Sequence, residues 1–425
     1  MYKSRTYKNV LLIEPDFPIP SKSRNHSNFL PIGLLKIAAY LRMHGMTPYL
    51  IRFDRDNPPV NQVKPDLICV TSLFTYWSKY VKEVVQYYKQ IYPDVRIDVG
   101  GIYATLLPEH CKKYTGCDTV TTGVLHEVEE LQPAYDLVDV DYQILHTTRG
   151  CVRNCEFCGT YIIEPKFEYK KTIKNEIYKK RVIFYDNNFL ANPYIKLILN
   201  ELIELKHNHK INYLESQSGF DGRILLKQPE LAQLIKEAGF KNVKIAWDSG
   251  IDQKKSIYKQ IQILEDAGYN PRTISVFVLY NYNIPFEEME LKRLICAEWG
   301  VQINDCRYRP MNATYDNYNP RKNALNISEY YIHPIWTDNE IRQYRRNIRR
   351  HNICLRWNIN WHSNILETKK LNKEELNKLF NMSYPEVKEI VPNAWGLNEF
   401  HSSVENVGHD DVETVRTGLN NHGLY

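Results

Sequence analysis

The chain has 425 residues, 43% hydrophobic and 25% charged, with 55 Lys and Arg against 50 Asp and Glu and a formal charge of +5. These proportions exclude a disordered chain, and the near-balanced charge gives no reason to expect a surface built for nucleic acid. The length suits two or three domains, each large enough for its own core.

Residues 8–13 (KNVLLI) predict a buried parallel strand closed by Pro15 and Asp16. A polar loop follows over 17–28. In GLLKIAAYLRMHG, Leu34, Leu35, Ala38 and Leu41 fall at helical spacing and Gly45 stops the helix. Strands are predicted at 49–53, 67–71 and 95–99, separated by amphipathic helices such as 80–92. Strand alternating with helix predicts an α/β fold, with an N-terminal Rossmann-like, doubly wound sheet over 1–140. Ligands of such sheets sit beyond the carboxyl ends of the strands, here 14–16, 71–74 and Gly100–Gly101.

PAYDLVD (133–139) reads as a linker. Six further strands are predicted at 143–147, 182–185, 213–217, 243–247, 273–279 and 302–307, with helices at 194–208, 229–238, 253–266 and 286–299. This rhythm predicts a partial (β/α)6 TIM-type barrel over 141–330, with working residues at the carboxyl ends of its strands. Beyond it the β/α alternation stops, and 331–425 is expected to be a helical C-terminal extension ending in a polar tail. No run approaches the roughly 18–20 apolar residues that cross a bilayer. The apolar run near the N-terminus ends at Glu14, too short for a signal-peptide core, so a cytoplasmic location without membrane attachment is expected.

Nine cysteines, an odd number at low density, do not read as a secreted disulfide scaffold. Three of them are crowded into HTTRGCVRNCEFCGT, where Cys151, Cys155 and Cys158 form C-x3-C-x2-C just after the first strand of the second region. Three thiolates on one short loop can each take one iron of a [4Fe–4S] cubane and leave the fourth iron open. Arg149, Gly150 and Gly159 suit a tight turn whose amides face the cluster's negative charge. The alternative is a structural Cys3His zinc site completed by His146 or another residue. Zinc sites usually come as two separated pairs, and a second C-x2-C is absent from the sequence.

C-x3-C-x2-C with an aromatic residue, Phe157, before the third cysteine resembles the signature of the radical S-adenosylmethionine (radical SAM) superfamily. PIGLLKIAAYLRMHG, KPDLICVTS, VGGIYATLLPEH, PAYDLVD and TTRGC are similar to the N-terminal half of the subgroup whose barrel follows a cobalamin (B12)-binding-type domain. SGFDGRILLKQPELAQLIKEAGFKNVKIAWDSG is similar to the second half of that subgroup's barrel. The resemblance implies an enzyme in which SAM chelates the open iron through its amino and carboxylate groups. One electron from the reduced cluster then cleaves the sulfur–C5′ bond, and the 5′-deoxyadenosyl radical abstracts a substrate hydrogen. It implies an external flavodoxin- or ferredoxin-like electron donor and an unidentified substrate, with methyltransfer or an oxidoreductase-type outcome. The alternative from another class is a non-catalytic Fe–S or cobalamin-binding protein that transfers electrons or senses cofactor.

By the same resemblance, Cys151, Cys155 and Cys158 ligate the cluster with Phe157 beside it. Asp186, Asn187 and Asn188 approach the SAM amino group, Arg223 (with Asp221) pairs with its carboxylate, and Asp248 and Ser249 meet its ribose. Bland readings stand beside these: a helix cap and turn for 186–188, and a surface ion pair for Arg223. Tyr280, Asn281 and Tyr282 occupy the place of the family's glycine-containing adenine strand. Cobalamin is a further candidate cofactor, held between 71–74, Gly100–Gly101 and Gly123. The D-x-H-x-x-G loop whose His ligates cobalt is missing, His26 being the only nearby histidine, so a purely structural sheet is the alternative. Cys69, with Cys296, Cys306 and Cys354, reads as a small buried hydrophobe. Cys111 and Cys117 flank one short loop and do not follow the pattern of a second, methylthiotransferase-type cluster.

Near the C-terminus TDNEIRQYRRNIRRHN predicts a helix opened by a capping box, Thr337 with Glu340. Arg342, Arg345, Arg346, Arg349 and Arg350 share one face, opposite Ile341, Tyr344 and Ile348. That face reads either as a grip on a phosphate- or carboxylate-bearing substrate or as a solvated charged surface.

Overall fold

The computed structural model describes residues 7–19, 29–57, 63–320 and 328–356, together with the backbone of two short strands at 361–362 and 395–396. The polar loop after the first strand and the C-terminal tail lie largely outside the described residues. The chain divides into two compact units. The first holds residues 1–218 with 309–317 and 329–331; the second holds 219–308, 318–328 and 332–425. The division falls at Ser218–Gly219, inside the region read from the sequence as one barrel.

The first unit opens with a five-stranded sheet built from β1 (Asn9–Glu14), β2 (Thr47–Arg52), β3 (Leu67–Ser72), β4 (Arg96–Gly101) and β5 (Thr119–Val120). All neighbours are parallel, in the order β2-β1-β3-β4-β5. Both faces of β1 are apolar, because both faces are covered. Leu11 and Ile13 pack with Ile68, Val70, Ile97 and Val99 against α2 (Ser78–Ile91). Val10 and Leu12 pack the other way, onto Leu34, Ala38 and Leu41 of α1 (Ile32–Met43). The order turns back on itself between β1 and β3, the place where sheets of this class leave a crevice at their carboxyl ends. Two helices, α3 (Ile102–Leu106) and α4 (Pro108–Thr115), follow β4, and the short α5 (His126–Glu129) follows β5. Cys69, Cys111 and Cys117 are buried in these two cores.

A second parallel sheet in the same unit has the order β10-β9-β6, from β6 (Tyr142–Leu145), β9 (Arg181–Phe184) and β10 (Tyr213–Ser216). Between β6 and β9 the chain makes a two-stranded antiparallel ribbon, β7 (Thr148–Arg149) with β8 (Glu168–Tyr169), whose tip carries α6 (Thr160–Ile163). The helix α7 (Ile195–His207) connects β9 to β10.

In the second unit β11 (Lys244–Ala246), β12 (Ser275–Tyr280) and β13 (Gln302–Arg307) form a third parallel sheet in chain order. Its helices are α8 (Gly222–Lys227), α9 (Glu230–Ala238), α10 (Lys254–Asp266), α11 (Phe286–Glu298) and α12 (Asp338–Arg356). Backbone pairing is therefore two sheets of three rather than one sheet of six. Just after β10, Gly219 has φ +76°, and a Cβ there would stand 2.6 Å from the Lys244 carbonyl. The amide of Phe220 donates to that same carbonyl at 2.8 Å, so the chain after β10 runs alongside β11 within the second unit. The remaining short strands are β14 (Trp361–His362) and β15 (Trp395–Gly396). No helix of the described residues is long and apolar enough to cross a membrane.

The capping box of α12 forms as the sequence predicts: the Thr337 amide and hydroxyl donate to Glu340 at 2.7 and 2.8 Å, and the Glu340 amide donates back to Thr337. The arginine face is not uniformly solvated. Arg342 and Arg350 are buried, Arg346 is half-buried, and Arg345 and Arg349 are exposed. Arg342 is held by Asp338 one turn earlier, at 2.8 Å. Arg307, Arg342 and Arg345 all lie over the ring of Tyr318, with guanidinium carbons 4.5, 4.9 and 5.6 Å from its centroid. Stacking on that ring accompanies the burial of Arg342, a planar cation that a simple charge pattern reads as wet, while Arg345 stays exposed.

Candidate functional site

The site is best built from the loop that carries the cysteines. Its base is a locked neck. β7 and β8 pair across it, the Lys170 amide donates to the Thr147 carbonyl at 2.8 Å, and the Asn192 side chain donates to the carbonyls of Thr147 and Lys170. Asp186, just past β9, is fully buried, and one carboxylate oxygen accepts four hydrogen bonds. They come from the amides of Thr147 and Thr148 at 2.9 and 2.6 Å and from their hydroxyls at 2.6 and 2.8 Å. Burial pushes this carboxyl above the usual range, against the pull of those donors. The residue read from the resemblance as the first approach to the SAM amino group thus holds β6 and β9 to the neck of the loop. Asn188 is buried beside it, and only Asn187 of the three reaches the cavity described below.

Gly150, with φ +70°, fits where no other residue could, since a Cβ would stand 2.3 Å from the Lys166 carbonyl. Its amide donates to Glu164 at 2.6 Å, and Asn187 donates to the same carboxylate oxygen at 2.8 Å. Arg149 joins Glu164 (2.9 Å) to Glu129 of α5 (2.6 Å), and Glu129 in turn takes Lys36 of α1 at 2.8 Å. This chain of alternating charge links the five-stranded sheet's helices to the cysteine loop. Burial works to raise the Glu129 carboxyl, but Arg149 and Lys36 outweigh it and hold the group below its ordinary value. Lys36 is lowered, chiefly by burial, with Glu129 pulling the other way.

Cys151, Cys155 and Cys158 are half-buried along the loop and in no disulfide, and Phe157 is half-buried between the last two. The Cys158 amide donates to the Cys155 carbonyl at 3.0 Å, the Arg153 amide points at the Cys151 sulfur at 3.4 Å, and the Cys158 sulfur lies 3.1 Å from the Thr160 hydroxyl. Among the described residues no group of three or more His, Cys, Asp or Glu side chains is gathered closely enough to hold a metal ion, these thiols included. Their chemistry nonetheless fits an iron–sulfur cluster: three soft ligands with none spent in a disulfide, on a loop anchored at its base.

A cavity of about 500 Å³ lies over the carboxyl ends of both sheets of the first unit. The five-stranded sheet contributes Ser72, Gly100 and Gly101 with the following Leu73 and Phe74. The second sheet contributes the residue immediately after each strand: His146 after β6, Tyr185 after β9 and Gln217 after β10. Arg149, Thr160 and Glu164 bring the base and exit of the cysteine loop to the same cavity, and Lys36 and Glu129 close the far wall. Gly101, with φ +105°, lets the chain pass the Ser72 carbonyl, which a Cβ would meet at 2.2 Å. The wall is therefore flat backbone and small residues on the sheet side, with apolar Leu30, Ile32, Ile37 and Leu73 around it. Such a surface fits a broad planar ligand with amide-bearing edges, which a corrinoid is.

The other residues named by the resemblance belong to the second unit. Arg223 is exposed, and both its amide and its Nε lie 3.1 Å from Asp221, which caps the start of α8. Asp248 and Ser249 follow β11. Buried Lys292 donates to the carbonyls of Trp247 and Ser249, each at 2.9 Å. Burial raises the Asp248 carboxyl and lowers the Lys292 ammonium to about 8, each group partly restoring the other's charge. Just after β12, in the segment that stands in place of the family's glycine pattern, Asn281 takes the left-handed conformation at φ +59°, which short amide side chains tolerate. It is fully buried, donating to the Tyr308 carbonyl and accepting from the His333 amide. Sequence reading missed Lys36, Glu129 and Glu164. Glu129 ends the short helix α5 and Glu164 follows α6, and nothing in their local spacing marks them as neighbours of Arg149.

Residues 26–131 match the B12 binding domain family. The match covers α1 to α5 and four of the five strands, β2 to β5, with β1 lying before it, and includes the glycines and Ser72 of the cavity wall. No curated protein matches the chain.

Proposed function

We propose that the protein is a radical SAM enzyme whose [4Fe–4S] cluster, on Cys151, Cys155 and Cys158, works beside a corrinoid seated on the B12-type sheet. The observation that carries this reading is the single cavity bounded by the carboxyl ends of both parallel sheets and by Arg149 and Thr160 of the cysteine loop. When bound, the cluster supplies the electron for cleavage of SAM and the corrinoid supplies a transferable methyl group. The chain's own residues position and shield. Gly100, Gly101 and Ser72 form the platform, Arg149 and Glu164 fix the base of the cysteine loop, and the apolar rim limits water around a reactive intermediate. In this reading the β/α segments over residues 141–330 make up the radical SAM domain. Arg223, Asp248 and Ser249 remain its candidates for SAM, and Phe157 for the cluster's surroundings. An external flavodoxin- or ferredoxin-like donor would feed the electron.

Anaerobic reconstitution with iron, sulfide, SAM and dithionite is expected to yield 5′-deoxyadenosine, with Cys155→Ala reducing it at least a hundredfold. Retention of a corrinoid without any 5′-deoxyadenosine would replace this reading with a cobalamin-binding carrier or sensor.

A further inference from the structure

His146 occupies an unusual place. It follows β6 directly, lines the cavity and is the single imidazole among the described lining residues. Its ring meets Tyr185 edge-on, centroids 6.4 Å apart, and among the described residues neither ring nitrogen makes a hydrogen bond. The carboxylates that line the cavity are already paired. Glu14 pairs with Arg52, Asp98 with Arg96, Glu129 with Lys36 and Arg149, and Glu164 with Arg149.

Two roles suit a lone imidazole on a cavity wall, proton acceptor and metal ligand. Burial first, then the nearby cations Arg149, Lys36 and Lys170, push its protonation well below the ordinary range. A general base works best with a basicity near the operating pH, so this environment makes a poor base. A metal ligand needs only a neutral ring with a free lone pair, and the same environment supplies one. The usual source of such a ligand in a B12-type domain, a His in the loop after β1 within D-x-H-x-x-G, is missing from this sequence.

We infer that His146, from the second sheet, is the protein's nitrogen ligand to the cobalt of a corrinoid held on the first. The inference rests on the B12 part of the reading above. Such coordination would use the lone pair of one ring nitrogen and would involve no change of oxidation state.

The test uses cob(II)inamide, which lacks its own benzimidazole base, bound to the full chain with the iron–sulfur cluster kept oxidised. Low-temperature EPR is expected to show cobalt lines split into triplets by one ¹⁴N, turning to doublets in protein labelled with ¹⁵N-histidine. His146→Ala is expected to remove the splitting while circular dichroism and melting temperature stay as in the wild type. Bound cob(II)inamide with no nitrogen splitting, or a splitting that survives His146→Ala, would overturn the inference and leave the corrinoid reading standing. Failure of the wild-type chain to retain any corrinoid would overturn both.

Discussion

Glu129→Ala is expected to lower the protein's stability by about 3–5 kcal/mol, the usual cost of removing one partner from a buried ion pair. Its carboxylate is only 15% exposed and sits between Lys36 and Arg149, so its loss leaves two shielded cations facing each other. A calorimetric melting temperature within a degree of the wild type would contradict the network's role. The pH dependence follows from the same geometry. The native carboxyl is held below its unfolded value, so its contribution is present above about pH 4.5 and is lost as pH falls through the native value. Wild-type stability should therefore fall more steeply toward acid than that of Glu129→Gln, which keeps the side chain's shape without its charge.

The second large effect is expected at Asp186, with the opposite sign in pH. Asp186→Ala leaves two amides and two hydroxyls without their acceptor in a dry interior, a loss of about 3 kcal/mol even if the hydroxyls turn elsewhere. Asp186→Asn retains a carbonyl acceptor and should cost much less. Because burial raises the native carboxyl, the folded state binds this proton more tightly than the unfolded chain does. Stability then declines as pH rises from about 4 toward the native value. Asp186→Asn should abolish that decline, so the variant gains on the wild type across the window. Equal destabilisation by Ala and Asn, with an unchanged pH profile, would show that the acceptor role is not what Asp186 provides.

The sheet of the B12-type domain was legible because its signal is local. Val10–Ile13 and Leu67–Val70 are continuous apolar runs, as burial on both faces demands, while 95–99 (VRIDV) alternates Val95, Ile97 and Val99 with Arg96 and Asp98. The crevice could also be placed, since strand order and carboxyl ends imply it. Gly100 and Gly101, named from the sequence, do line the cavity. The roles of Asp186 and Asn187 could not be separated by reading, because they depend on which of two adjacent side chains points into the interior. The side chain of Asp186 points in, toward Thr147 and Thr148 some 38 residues earlier in the chain. The Lys36–Glu129–Arg149–Glu164 chain was invisible for a related reason. Its first bonded pair, Lys36 and Glu129, is 93 residues apart in sequence, and the members become neighbours only after the folds of α1, α5 and the cysteine loop are set. The arginine helix misled in a third way. Charge pattern assigns Arg342 to a wet or ligand-facing surface; its i−4 partner Asp338 is local, but only tertiary structure supplies the Tyr318 ring it stacks on.

The account depends most on what the three loop thiols bind. Iron, acid-labile sulfide and zinc should be measured on full-length protein purified and reconstituted without oxygen, beside a variant with Cys151, Cys155 and Cys158 all changed to Ala. The account predicts about four irons and four sulfides per chain in the wild type, as a [4Fe–4S] cluster requires, and neither in the variant. One zinc per chain with no sulfide would contradict it.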